Sequence, residues 1–342
     1  MSATTDETIS PAPLHRVNLG FAASRVLMSA VEIDLFSLVH AEGPSTEQQL
    51  RRALNLHSRF SRHFLDVLVA YGLLRVEDGK YDNTELSRRF LVKGEPGCLG
   101  AFVEIAGSRQ WTAWTRFTRA LRTGEHQEDS PVDDGGELFR THVDENPEYV
   151  RRFMSAMDSH AVRAATAVAE RLDFSSYQTF TDLGGARGAF AVRLAELVPH
   201  LRGTCFDRKP AQIFFDEFVS QTDVAGRVEF VGGDFFSDPL PRSDVLVLGH
   251  VLHEWSNETR AMLIRRAYDA LNPGGVLVIY DRMVGEVPDA QVLLLSLTFM
   301  LTSPAGGEYH VADCREWLSE AGFRDVRFEP VLDNHTLAIG LR

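Results

Sequence analysis

The stretch Phe180–Phe190, FTDLGGARGAF, constrains the fold of this chain more than any other. Thr179, Phe180 and Thr181 are β-branched or aromatic and lead into Asp182. The turn Gly184-Gly185-Ala186-Arg187-Gly188 follows, and Phe190, Val192, Leu194 and Leu197 then recur in a helical pattern. Strand, tight turn and helix form the opening unit of a nucleotide-type α/β fold. Glycine is needed there because the backbone turns sharply and passes close to a ligand, where a Cβ would collide. The positions that a dinucleotide fingerprint reserves for glycine hold Gly184, Ala186 and Ala189, and the Gly-Lys-Ser/Thr ending of a phosphate loop is missing. A glycine turn with a purely structural role stays open as the alternative.

Further strand patterns at Gly203–Phe206, Val228–Val231, Asp244–Leu248 and Val276–Tyr280 alternate with helical ones. Such alternation predicts a parallel, doubly wound sheet, whose ligands lie beyond the carboxyl ends of the strands. Those ends carry Asp182, Asp207, Asp234, His253 and Asp281, five polar groups on one rim. Asp182 with Gly184 and Gly188 makes D-x-G-x-x-x-G, an arrangement seen in S-adenosylmethionine (SAM) binders, where a carboxylate can hold the cofactor's cationic end. Asp207 stands where nucleotide binders hold ribose hydroxyls, or else caps the next helix. Asp234 can accept from an adenine amino group while Phe235 covers the base, or it too is a cap.

His253, in GHVLHEWSN, can act as a general base or as a structural histidine. Asp281 and Glu308 are its candidate partners. His250 and His253 are three residues apart, but no third ligand is evident in sequence, so no metal is expected. Trp111, Phe153, Met157, Phe299 and Met300 are either core or the apolar wall of an acceptor pocket.

The N-terminal half reads differently. Leu14–Val39 reads as one helix, apolar on more than one side, which calls for a second surface such as a dimer partner. Ser45, with Gln48, is expected to cap the next helix. Ser58 is expected to cap a further helix burying Phe60, Phe64, Val67, Leu68 and Tyr71, and Asp78-Gly79 sits at a hairpin tip. Three helices and a hairpin suggest a winged helix, but a net charge of −13 speaks against a nucleic-acid groove. Glu85–Ala120 is expected to continue helically, Thr123–Gly136 to be a surface loop, and Pro147–Leu172 to be helical. No apolar run is long enough to cross a bilayer. The opening MSATTDETIS has no signal-peptide pattern, and Cys98, Cys205 and Cys314 read as free thiols. A cytoplasmic enzyme is the expectation.

DLGGARG, the Phe206-Asp207 pair and GDFFSDPLPRSDVLVLGHVLHEWSNE followed by ALNPGG together resemble the SAM-dependent O-methyltransferases of the plant caffeate and bacterial antibiotic-tailoring type. The resemblance runs from about Leu14 onward. Segment 1–13 before it is expected to be disordered, and the resemblance implies a winged-helix-like dimerisation domain 14–105, a helical linker and pocket region 106–176, and a Rossmann-like SAM-binding domain 177–342. It implies a homodimer that methylates an aromatic small molecule and releases S-adenosylhomocysteine, with no nucleic-acid or membrane partner. By position, Gly184, Gly188 and Asp207 would hold SAM, with Asp234 and Phe235 at the adenine. His253 would be the base, flanked by Asp281 and Glu308, and Met157 and His160 would line the acceptor pocket. Three positions depart from the pattern: Ala186 for a usual glycine, Gly249 where plant relatives often carry Lys, and Asp281 where Glu is usual. C- or N-methylation, SAM-assisted chemistry without methyl transfer, and a winged-helix DNA-binding regulator are the rivals.

Overall fold

The computed structural model describes residues 9–95, 97–127, 147–287, 289–332 and 334–342. Most of the expected surface loop at 123–136, and all but the end of the expected disordered segment 1–13, lie outside them. The chain forms two compact units, Met1–Arg109 and Gln110–Arg342.

The first unit comprises α1 (Ala12–Glu32), α2 (Leu35–Glu42), β1 (Ser45–Thr46), α3 (Glu47–Ala53), α4 (Ser61–Ala70), β2 (Leu74–Glu77), β3 (Lys80–Asn83), α5 (Glu85–Leu91) and α6 (Gly100–Ile105). The single helix expected over Leu14–Val39 is broken, because Asp34 adopts a left-handed φ of 58°, a conformation that Asp tolerates. The capping box lies one residue later than expected, at Thr46 with Gln49, because Ser45 pairs with Tyr81 across the sheet. The face of α4 is also corrected. Leu65 and Leu68 are buried, whereas Phe60 and Tyr71 are 66% and 61% exposed. Asp78 and Gly79 both take positive φ at the hairpin tip, as the sequence predicts. The helix expected across Glu85–Ala120 is interrupted after Leu91 and again at a π-helical turn, Ala106–Gln110.

The second unit opens with α7 (Trp111–Thr115), α8 (Phe117–Thr123) and the long α9 (Pro147–Arg171). It continues through β4 (Thr179–Leu183), α10 (Ala189–Leu197), β5 (Arg202–Asp207), α11 (Gln212–Val219), β6 (Val228–Gly232), β7 (Ser243–Gly249), α12 (Asn257–Ala270) and β8 (Leu271–Asp281). It ends with α13 (Ala290–Thr302), α14 (Val311–Ala321), β9 (Arg324–Val331) and β10 (His335–Leu341). The sheet runs β6-β5-β4-β7-β8-β10-β9. Its first five strands are the parallel set expected from sequence. β9 and β10 are an addition, and β10 lies antiparallel between β8 and β9.

Side chains alternate across the central strands. Val245, Val247, Val276 and Val278 join one core, while Leu246, Leu248, Leu277 and Ile279 join the other. A sheet covered on both faces produces such near-continuous apolar runs. Burial of both faces fixes the register, and with it the polar residues at the strand ends.

Candidate active site

The turns after β4, β5, β6 and β7 enclose a cavity of about 250 Å³ with α9. Gly184 (φ 77°) lies so close to Val251 that a Cβ would come 2.6 Å from Val251 Cγ2. Ala186 also takes a positive φ, 50°, which costs a non-glycine residue about 1–2 kcal/mol. In return its N–H donates to Asp207 Oδ2 at 2.7 Å, while the Arg208 N–H donates to Oδ1 at 2.6 Å. Both carboxylate oxygens are thereby fixed, and each keeps a lone pair for a ligand hydroxyl. Asp234 lines the same cavity and also caps its own turn, accepting from the Phe236 N–H at 2.8 Å. Trp255 packs edge-on against Phe235 and Phe236, so the HEW and GDFF segments support one aromatic wall.

Of the residues expected at the cofactor, Gly184, Asp207, Asp234 and Phe235 line the cavity. Asp182 and Gly188 stand behind the turn. The Asp182 carboxylate sits under Gly185, and burial, then the charge of Asp207, pushes its pKa up to about 7. Gly188 (φ 85°) starts α10 against the Phe215 ring. Ala186, Arg208, His250, Val251, Glu254 and Trp255 are among the lining residues outside the expected set. Arg208 and Glu254 each directly follow an expected residue, which is the signal that could have found them.

His253 is held in a single 3₁₀ turn, Leu252–Glu254, just past β7, and is buried. Its Nδ1–H donates to Glu308 Oε1 at 3.3 Å, a bond that leaves Nε2 as the basic nitrogen of the neutral ring. Burial alone would lower its pKa. The Glu308 hydrogen bond and the charges of Asp281 and Glu254 outweigh that and raise it to about 9. Asp281, fully buried, accepts from the Tyr309 hydroxyl at 2.7 Å, and its nearest imidazole nitrogen is His250 Nδ1 at 3.8 Å. It therefore acts on His253 through charge, and Glu308 alone is hydrogen-bonded to the base. Ligand-type atoms of His250, His253 and Asp281 lie within 4.8 Å of one another, so Asp281, an expected partner of His253, also stands close to His250. Glu308, Tyr309 and His335 already hydrogen-bond these three residues.

Arg260, on α12 and 5% exposed, ties this region together. Its guanidinium donates to the carbonyls of Leu252 (2.8 Å) and Gly307 and to Asn257 Oδ1 (2.7 Å). It thus links the backbone before the base to the backbone before Glu308.

The expected acceptor-pocket residues are dispersed. Phe153 and Met157, on α9, line the cavity. Phe299 packs on His253 with ring centroids 4.4 Å apart. His160 lies beside His250 and His335, about one turn along α9 from Met157. Met300 lines a second cavity of about 270 Å³, with Phe117, Leu297 and Pro304. Trp111 lines neither cavity. At Gly249, a Cβ would meet the Tyr280 ring at 1.9 Å, so Tyr280 fills the space of the side chain missing at that position.

Two family models match this chain: an O-methyltransferase domain over residues 114–324 and an O-methyltransferase dimerisation domain over residues 16–93. The chain is 42% identical over 333 residues to the tetracenomycin polyketide synthesis 8-O-methyl transferase TcmO of Streptomyces glaucescens, covering 96% of each. It is 35% identical to the N,N-dimethyltransferase OxyT of Streptomyces rimosus, covering 94% of this chain and 92% of OxyT. Among solved structures, human N-acetylserotonin methyltransferase in complex with SAM matches with a TM-score of 0.86 at 27% identity, covering 100% of this chain and 99% of that one.

Proposed function

This chain belongs to the O-methyltransferase family, with its methyltransferase and dimerisation domains, and from that premise we propose that it methylates a hydroxyl of an aromatic small molecule, with His253 as general base. It is a SAM-dependent enzyme. The residues around the cavity suit SAM: Asp207 offers fixed acceptors for ribose hydroxyls, and Asp234 and Phe235 form a polar edge and an aromatic face for adenine. When bound, SAM supplies an electrophilic methyl group and leaves as S-adenosylhomocysteine.

The observation that carries the reading is the buried His253–Glu308 pair, which does not itself line the cavity but adjoins His250 and Glu254, which do. Nε2 of His253 takes the hydroxyl proton as the oxygen bonds to the methyl carbon, and Glu308 holds the ring in the tautomer that makes Nε2 basic. Asp281 adds a second negative charge that stabilises the imidazolium. The apolar Phe153, Met157 and Phe299 suit a flat ring, and TcmO, an O-methyltransferase of polyketide synthesis, supports an acceptor of that kind. Much of the acceleration comes from holding the two reactants in contact. We read residues 14–105 as dimerising and 177–342 as SAM-binding, in a homodimer with no nucleic-acid or membrane partner. Among the described residues no helix is long and apolar enough to cross a membrane.

The test is incubation with methyl-labelled SAM and a panel of phenols, followed by product mass. His253→Ala is expected to lose about 10²–10⁴-fold in turnover, and unchanged turnover would reduce His253 to a wall of the pocket. OxyT's activity as an N,N-dimethyltransferase favours a second reading, transfer to an amine. Label on nitrogen with none on oxygen would select it.

A further inference from the structure

Seven buried side-chain nitrogen or oxygen atoms among the described residues have no hydrogen-bond partner. Four of them, His250 Nδ1, His335 Nδ1, Asp281 Oδ1 and Glu308 Oε2, lie in the network around His253. In so buried a network the placement of each proton carries a large energy. His250 Nε2 and His335 Nε2 are 3.1 Å apart, so one must donate and the other accept.

If His250 Nε2 donates, His250 Nδ1 turns a lone pair toward Asp281 Oδ1, 3.8 Å away. If His335 Nε2 donates, His250 carries its proton on Nδ1 and presents an N–H to the carboxylate. Beside an ionised Asp281, only the second arrangement is electrostatically favourable. The surroundings do not replace it. His253, Arg282 and His160 also act on His250, and Arg282, His160, Arg163 and His253 on His335. Asp281 is influenced by His253, Glu308, Tyr309 and Arg260, yet its Oδ1 has no hydrogen bond. His250 holds its place with a left-handed φ of 54° at the end of β7, the kind of local strain that concentrates at functional sites.

We propose that His335 is a positioning residue: its Nε2–H donates to His250, fixes His250 as the Nδ1–H tautomer, and so keeps Asp281 a charged carboxylate beside His253. The catalytic consequence rests on the reading of His253 as the base; the tautomer assignment does not.

A long-range proton–nitrogen NMR spectrum of the full-length enzyme with ¹⁵N-labelled histidine, assigned with His250→Asn and His335→Gln, tests the assignment directly. The expected result is His335 protonated on Nε2 and His250 on Nδ1. A His250 ring protonated on Nε2 overturns the proposal, and the tautomers themselves are read on the unsubstituted enzyme. In turnover, His335→Leu is expected to lose about tenfold with SAM affinity unchanged, and His335→Gln, which keeps an N–H, to regain most of it. Equal loss in both variants overturns the positioning role. Unchanged turnover in His335→Leu overturns the catalytic consequence, whereas only unchanged turnover in His253→Ala overturns the base.

Discussion

The proton on His253 is held by three carboxylates, Glu308, Asp281 and Glu254, against the pull of burial. With a pKa of about 9, the resting side chain is charged at neutral pH, so the neutral base is scarce there and grows with alkalinity. For a phenol of ordinary acidity, kcat/KM is expected to rise about tenfold per pH unit from 7 toward 9 and then flatten. Glu308→Gln takes the negative charge out of the hydrogen bond that contributes most to the upward shift, so the rising limb should move toward the ordinary histidine value. A limb that stays in place would separate Glu308 from the base. The sign for stability is fixed too. A raised histidine pKa contributes stability that is fully present below about 6.5 and lost as pH rises through 9. Gly184 allows a second test at this scale. Gly184→Ala puts a Cβ 2.6 Å from Val251 Cγ2 and strains a φ of 77°, so SAM affinity should fall at least about tenfold, with a local cost of about 1–2 kcal/mol. Isothermal titration reads it directly.

The single 3₁₀ turn that carries His253 is too short to hold itself, and α12 supports it through Arg260. Arg260→Leu leaves the Leu252 and Gly307 carbonyls without that donor, with an expected loss of about 2–4 kcal/mol. Urea unfolding measures it. Arg260→Lys keeps the charge but not the fork, so turnover should fall while SAM affinity is retained. Equal loss of both would make Arg260 a general support of the fold. How far such elements can be read in advance depends on the distance over which they are determined. The parallel strands and the rim at Asp182, Asp207, Asp234 and Asp281 were legible because apolar runs and glycine turns are local signals. Arg260 was not, because its partner Gly307 lies 47 residues away. Nor was His335, which meets His250 across 85 residues. The break after α1 escaped for a different reason: Asp34 lies in a run whose spacing fits a helix, and only its φ of 58° shows otherwise.

On the scale of the whole molecule, the first unit leaves an apolar stripe uncovered. Leu14, Val17 and Phe21 of α1 are 73%, 82% and 64% exposed and recur at helical spacing. In a chain with a dimerisation domain this is the expected partner-facing surface. The double substitution Val17→Glu with Phe21→Glu should shift sedimentation to the monomer, and an unchanged sedimentation coefficient would place the interface elsewhere. The second unit has a different kind of dependence. Strand β10 follows the other described strands in sequence, yet it lies inside the sheet, hydrogen-bonded on both sides. During synthesis, therefore, β8 keeps an open edge, and His250 lacks His335, until the ribosome has released residues 335–341. A message cut short before that point yields a protein with a complete glycine turn and an unpaired, aggregation-prone strand edge. Such a product is expected to aggregate rather than to act as a half-working enzyme.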